Sequence, residues 1–472
     1  MKSNHATSSI AEKFDLSRSG SDVEISSVAL ASHLCRPGSL FIATKGLKHH
    51  GLDFLAQAIS NGAVAVLSDR EVEGIACLVH PDPKSIAGEL SDLIYGTSDS
   101  GMKLYGVTGT NGKTSTTNYL HQLLLGLGIP AGMSASTSRI VGTQELPAAL
   151  TSPEVTELHD LLAQIRNAGA FHAAIEVSAQ ALIRHRVDAV LFEVVGFSNL
   201  SRDHLDDFST MDQYLSAKAE LFTKKYAKKG VVLVEDEYAK KLLDIAEIPV
   251  VGIGPGLQYN YSYQGQQLRI SGKHELSTHF SQGGLMAKNL VLALVMLLEA
   301  GFSPGDLESA ASASELYVPG RLELISEAKP HVYVDYAHTP AGVASAVMEI
   351  KKRYPKLTLV LGASGNRDQG KRAEMGLAGS NADLLVITDQ HPRDEDPAII
   401  RHALLAGAAT NMDAGRILEI PDPAQAIKAA VLETAEDSAV LWCGPGHLTY
   451  REIAGQKVPF DARALAKEAV ES

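Results

Sequence analysis

Short apolar runs that stop at polar or glycine-bearing loops recur along the whole chain. In the first hundred residues, Leu40-Phe41-Ile42-Ala43 and Ala63-Val64-Ala65-Val66-Leu67 read as buried strands, and Leu55 to Ile59 reads as helix between them. Gly96-Thr97-Ser98-Asp99-Ser100-Gly101 is a polar, turn-rich joint. A second block then alternates strand and helix patterns, and a third starts near Val318-Pro319-Gly320-Arg321. These breaks divide the chain into expected domains at 1–97, 98–317 and 318–472. No short-period repeat or low-complexity tract interrupts them.

The third block repeats one pattern four times. Val332-Tyr333-Val334, Leu357 to Leu361, Leu384 to Ile387 and Ala439 to Trp442 each run into a loop rich in polar residues and glycine. Those loops begin at Asp335, Gly362, Asp389 and Gly444, with helix-like segments in between. Plain solvent loops would also be polar. Four in series instead predict a parallel, doubly wound sheet with a site at its carboxyl ends. The fold class expected is therefore α/β: a small N-terminal α/β domain, a central domain with a mainly parallel sheet, and a C-terminal Rossmann-like domain.

Chemistry enters at Gly106-Val107-Thr108-Gly109-Thr110-Asn111-Gly112-Lys113-Thr114-Ser115. The strand-like Lys103-Leu104-Tyr105-Gly106-Val107 precedes it. Leu120, Leu123, Leu124 and Leu127 follow at helical spacing, and Gly126, Gly128 and Pro130 stop the helix. A glycine-rich loop that opens a helix cradles phosphate with backbone N–H groups. Its lysine adds charge and its hydroxyl can hold Mg²⁺. An ordinary glycine-rich turn lacks the Gly-Lys-Thr ending. The glycines fall at 106, 109 and 112, which is not the standard spacing.

Two further strand ends carry charge in the middle block. Ala173-Ala174-Ile175-Glu176-Val177 ends in a carboxylate, and Val190 to Phe197 runs into Asn199-Leu200-Ser201-Arg202-Asp203-His204-Leu205-Asp206. Thr210 then caps a helix holding Lys218, with Leu215 and Leu221 on its apolar face. Glu176 and His204 beside a phosphate loop could hold Mg²⁺. Singly, Glu176 also reads as a half-buried acid, His204 as a turn cap and Lys218 as a solvated helix residue.

Composition narrows the class. Hydrophobic content of 45% with 21% charged residues describes a globular chain with a large core. A net charge of −13 argues against a nucleic-acid-binding body. The three cysteines, Cys35, Cys77 and Cys443, are widely spaced and predict reduced thiols in a cytoplasmic protein. No apolar run reaches membrane-spanning length, and no signal-peptide pattern is visible near Met1.

Taken together, these motifs resemble the Mur ligases, most closely their E branch, the ADP-forming UDP-N-acetylmuramoyl-dipeptide amino-acid ligases of peptidoglycan biosynthesis. Thr108 to Thr114, Glu176-Val177-Ser178 and Asn199 to Asp206 match that family's motifs, and Lys218 stands where it has a carbamoylated lysine. Pro319-Gly320-Arg321, Asp335-Tyr336-Ala337-His338 and Gly370-Lys371-Arg372 extend the match. A folylpolyglutamate-synthetase-like ligase shares the loop but matches less of the rest.

The resemblance implies an acceptor carboxylate phosphorylated by ATP and an amine that displaces the phosphate. It assigns ATP binding to Gly109, Thr110, Asn111, Gly112, Lys113, Thr114, Ser115, Asn289, Arg321 and Asp335. Lys113, Glu176, His204 and Lys218 would be catalytic. Thr114 and Glu176 would hold one Mg²⁺; His204 and Lys218, carbamoylated by CO2 or bicarbonate, would help hold a second. Thr151, Ser152, Ser178 and Arg186 would grip a UDP-muramoyl acceptor. Arg367, Lys371, Gln390, His391, Arg393 and Gly444 would meet the remaining substrate.

The departures concern both substrate ends. Gln390-His391-Pro392-Arg393 stands for an Asp-Asn-Pro-Arg motif, and Gly444-Pro445-Gly446-His447-Leu448 for Gly-Lys-Gly-His-Glu. The two acids that would hold a distal ammonium are absent, so an amino acid other than diaminopimelate is expected. Gln390 and His391 could also merely reshape the loop. Near the acceptor, Ala31-Ser32-His33 replaces Asp-Ser-Arg, His50-Gly51 replaces Asp-Gly, and Ala179-Gln180 follows Ser178 where the family has Ser-His. Met286 stands where an asparagine is expected near the adenine. A non-UDP carboxylate acceptor, or a nucleotide-binding partner protein without catalysis, are the alternative readings.

Overall fold

Each apolar run becomes a buried strand, and the strands gather into three main sheets in chain order. The computed structural model describes residues 5–46, 48–204, 207–313 and 315–471. In sheet order the first sheet runs Ser17–Ser19, Ala76–Val79, Ala63–Ser68, Ser39–Ile42 and Ser27–Ala29, all parallel except its first strand. Ile10, Leu40, Leu67 and Leu90 fill one core beneath it, and Val155 of the next block joins them. Arg36 also reaches Asp160 at 2.7 Å, tying the two blocks together.

The second sheet has eleven strands. Its six central strands are parallel, in the order Ala131–Ser134, His172–Glu176, Lys103–Thr108, Val194–Phe197, Gly230–Leu233 and Val250–Ile253. The strand before the phosphate loop therefore lies between the two strands that carry Glu176 and lead to His204. Register makes the meeting local: Glu176 pairs with Val107, and Phe197 with Thr108. The helix Lys113–Gly126 buries Leu120, Leu123 and Leu124. The helix Gly284–Glu299 is apolar on almost every face and lies under the sheet. It comes so close that a Cβ at Gly196 would stand 2.4 Å from Met296 Sδ.

Val190 to Phe197, read as one strand, pairs regularly only over Val194–Phe197, with an isolated bridge at Phe192. Likewise the helix holding Lys218 is Met211–Ala219, capped by Thr210, and Leu221 falls in the following tight turn. Both Leu215 and Leu221 are buried all the same.

The third sheet runs Glu323–Ser326, His331–Asp335, Ala439–Cys443, Leu357–Leu361, Leu384–Ile387 and Ile417–Glu419. All but the first pairing are parallel, as the four repeated strand-loop patterns predict. The helices Pro340–Lys351, Pro397–Ala408 and Pro423–Leu432 each begin with proline behind a Thr or Asp cap. Among the described residues no helix is long and apolar enough to cross a membrane.

Glu349 joins the second and third blocks. Its carboxylate accepts from the N–H groups of Gly284 and Leu285 at 2.9 and 3.3 Å and from Arg353 at 3.0 Å. It thus caps a helix of the neighbouring block. Glu349→Ala leaves the half-buried N–H groups of Gly284 and Leu285 without this acceptor. The expected cost is about 1–3 kcal/mol, read as a lower urea midpoint. An unchanged midpoint would show that this contact does not hold the blocks together.

Candidate active site

Two glycines let the phosphate loop take its shape. Gly109 and Gly112 sit at φ +144° and +85°. A Cβ at Gly109 would stand 2.0 Å from Ser198 Oγ, and one at Gly112 would stand 2.2 Å from Asn289 Oδ1. Asn199 braces the loop from the adjacent strand end. Its side chain accepts from Asn111 N at 3.1 Å and donates to Asn111 O at 3.0 Å. Lys113 Nζ folds back onto the carbonyls of Gly109 and Thr110 at 3.1 and 2.8 Å. Burial pulls its amine below the ordinary lysine range.

Glu176 Oε2 accepts from Thr114 Oγ1 at 3.0 Å and from Ser136 N at 2.8 Å. Ser152 Oγ donates to Glu176 O at 2.9 Å and accepts from Ser178 N at 3.1 Å, while Ser136 Oγ donates to Thr151 at 3.0 Å. Arg186 lies alongside, paired with Glu154 at 2.7 Å. The acceptor-side candidates thus form one polar strip beside the loop.

A helix lysine is solvated by default, yet Lys218 is 1% exposed. Its Nζ donates to Gly109 O at 2.6 Å and stands 4.4 Å over the Tyr214 ring. Burial, then the charge of Lys113, drives its amine well below the usual value. His204 takes a left-handed φ of +54° and lies 3.4 Å from Asp203. Burial lowers its imidazole to about 4 despite that carboxylate, so it is neutral and able to ligate a metal. Leu205 and Asp206 of the same motif lie outside the described residues.

The third block closes over this end. Arg321 donates to Thr114 Oγ1 at 3.3 Å and lies 4.4 Å over the Tyr336 ring. Asp335 accepts from Leu322 N and Ala337 N at 2.7 and 2.6 Å, and burial pushes its carboxyl up. Lys371 reaches Asp203 at 3.1 Å, and His338 reaches it at 3.7 Å. Burial would raise the Asp203 carboxyl, but His338 and Lys371 hold it well below the carboxylate range.

Farther along, Gln390 is 7% exposed and packs on Gly444, where a Cβ would stand 2.5 Å from Gln390 Oε1. His391 Nδ1 accepts from Glu452 N at 3.1 Å; burial, then Arg393 and Arg451, lower it to about 4. Arg393 pairs with Glu452 at 3.1 Å. One cavity of about 700 Å³ joins all of this. Every candidate lines it except Gly109, which turns its carbonyl to Lys113 and Lys218.

The sequence reading gave no role to Asp203, Ser136, Tyr214 or Glu452. Asp203 stood inside a quoted motif, but its partners lie in another block. Glu452 carried no signal at all. Among the described residues no three His, Cys, Asp or Glu side chains converge on a metal-sized site.

Family profiles match the chain in three places. They are the Mur ligase family catalytic domain over residues 24–89, the middle domain over 107–297 and the glutamate ligase domain over 320–446. A UDP-N-acetylmuramyl-tripeptide synthetase from Leifsonia xyli is 41% identical across 95% of this chain and 92% of its own length. This chain belongs to the Mur ligase family. It is accordingly an ATP-dependent ligase that forms C–N bonds. A UDP-N-acetylmuramoyl-L-alanyl-D-glutamate–2,6-diaminopimelate ligase from Streptomyces coelicolor is 36% identical across 98% of this Mur ligase and 95% of that protein. The solved structure of a ligase of that same name superposes with a TM-score of 0.65, at 26% identity, over 95% of each chain.

Gly112→Ala in this Mur ligase should weaken ADP binding by at least about tenfold in calorimetry, because the Cβ meets Asn289 and the φ is left-handed. Wild-type affinity would contradict the cradle. The buried imidazoles also set a pH dependence. His204 and His391 titrate near 4 in the fold, against 6.5 for an unperturbed imidazole. Below pH 6.5 the unfolded chain therefore binds protons that the fold refuses, and stability falls as pH drops towards 4. His391→Asn should flatten Tm against pH over that window; an unaltered slope would refute the assignment.

Proposed function

We propose that this Mur ligase joins an amino acid other than diaminopimelate to the carboxylate of a UDP-N-acetylmuramoyl dipeptide, through an acyl phosphate. The observation that carries the reading is a neutral wall, Gln390 and Leu448, at the far end of a cavity whose phosphate end keeps Lys113, Glu176, His204 and Lys218. The names of its relatives support the UDP-linked acceptor. In this reading residues 1–97, 98–317 and 318–472 act as acceptor, ATP and amino-acid domains.

An acceptor carboxylate oxygen attacks the γ-phosphorus of ATP, and the bond to ADP breaks. A neutral amine then attacks the acyl carbon, phosphate leaves, and an amide remains. Both steps gather negative charge on transferring oxygens, so preorganised cations and N–H donors lower the barrier. The loop amides and Lys113 would bind the phosphates, with Arg321 approaching from the third block and Asp335 meeting the ribose. Thr151, Ser152, Ser178 and Arg186 orient the acceptor. Closure of the third block keeps water from the acyl phosphate.

The residues present fit Mg²⁺. Thr114 Oγ1 and Glu176 Oε2 are adjacent oxygen donors on the cavity wall, and hard cations take such ligands. They would hold one ion; His204 and carbamoylated Lys218 would help hold a second. Bound there, the ions supply positive charge to the transferring oxygens. Lys218 fits carbamoylation because its buried amine has a carbonyl and an aromatic face as partners. The neutral amine adds to CO2 and loses a proton, leaving an anion suited to a metal.

A non-UDP acceptor was the other possibility raised by the first domain. His50, however, serves as a local cap: it accepts from Leu52 N at 3.1 Å and contacts Asp69 at 3.3 Å. Neither His33 nor His50 lines the cavity.

Phosphate release should appear with UDP-N-acetylmuramoyl-L-Ala-D-Glu, ATP and an amino acid, with the amide confirmed by mass spectrometry. Lys218→Ala should lower kcat by about a hundredfold to a thousandfold, and removing bicarbonate should slow the wild type. Full activity of Lys218→Ala would sink the carbamate.

A further inference from the structure

We propose that Glu452 determines specificity at the amino-acid end, restricting the incoming amino acid to one with a single carboxylate and an uncharged, hydrogen-bonding side chain. This deepens, and rests on, the ligase reading above.

The charges at that end decide how many carboxylates can be received. Arg202, Arg367, Lys371 and Arg393 cluster there. Arg202 lies 2.5 Å from Glu374 and 3.7 Å from Asp368. Lys371 is held by Asp203 at 3.1 Å, and Arg393 Nε is paired in charge with Glu452 Oε2 at 3.1 Å, without hydrogen-bond geometry. Among the described residues Arg367 alone of the four has no carboxylate partner, and it lines the cavity. One free guanidinium matches one carboxylate. Glutamate, aspartate and diaminopimelate each bring two.

Glu452 is not in the cavity wall. It belongs to the hairpin of Tyr450–Ile453 with Gln456–Pro459, which is sewn to the loop bearing Gln390 and Arg393. Arg393 N donates to Glu452 O at 2.9 Å, and Ala454 N donates to Arg393 O at 2.7 Å. Arg451 Nε donates to Gln390 O at 2.6 Å. Arg393 itself takes a left-handed φ of +54°, so this backbone clasp sets where its side chain points. Glu452 is therefore a positioning residue: it acts on substrate through Arg393, by balancing its charge and fixing its backbone.

The side-chain end is neutral. Gln390 lines the cavity with Oε1 buried and without a hydrogen-bond partner among the described residues. Such an acceptor is satisfied by a donor from the ligand, a hydroxyl or an amide. Leu448 beside it offers nothing to an ammonium group. A lysine-like side chain would have to bury its charge against an amide and a leucine.

The test compares kcat/KM over hydroxyl- and amide-bearing amino acids of increasing length with that for L-glutamate, L-lysine and diaminopimelate, using the UDP-N-acetylmuramoyl dipeptide. The wild type should favour a neutral member by at least about tenfold. Glu452→Gln should raise the glutamate-to-neutral ratio by at least about tenfold, through KM for the amino acid, with KM for ATP unchanged. Glu452→Asp should keep the wild-type ratio. Gln390→Glu should shift preference towards L-lysine, an arm independent of how Glu452→Gln folds. A wild type that prefers a charged amino acid, or a ratio untouched in Glu452→Gln, overturns the proposal while leaving the ligase reading intact. ADP binding without phosphate release for any pair would instead withdraw that reading, and this one with it.

Discussion

In a parallel sheet every strand ends at the same edge, so a loop after one strand meets the loops after its neighbours. The strand Lys103–Thr108 lies between His172–Glu176 and Val194–Phe197, and the chemistry of this protein depends on that placement. Glu176 is paired with Val107 and therefore stands beside Thr114 without any long reach. Phe197 is paired with Thr108, so Asn199 can brace the phosphate loop. A one-residue slip would turn these side chains to the other face.

A second constraint acts across blocks. Asp203 is buried, and a buried carboxylate is unfavourable unless compensated. The compensation comes from His338 and Lys371 of the next block. Glu349 works in the opposite direction, capping a helix of the central block from the third. Both contacts span the two blocks, and Arg321 touches Thr114 across the same junction.

Legibility in the sequence followed locality. The phosphate loop, the strand that leads into it and the cap at Thr210 are short-range patterns, and each stands where expected. Lys218 was different. Helical periodicity gives a lone lysine no reason to be buried; only the family resemblance singled it out, and its 1% exposure reflects Tyr214 one turn earlier on its helix and Gly109, 109 positions away. Asp203 was visible as a residue but not as a hub, because Lys371 is 168 positions away. Glu452 sits in a polar hairpin like many others, and its pairing with Arg393 is a tertiary fact.

The sequence by itself determined the α/β class, the nucleotide loop and the type of reaction, because those depend on residues close together in the chain or on motifs shared by the Mur ligases. It also marked Gln390 and Leu448 as departures from acids. The surroundings of those departures come only from the tertiary structure. The charge neighbour of Arg393 and the backbone partner of Gln390 both lie on a hairpin about 60 residues further along the chain. Charge pairing acts through space, and the chain order of the partners carries no record of it.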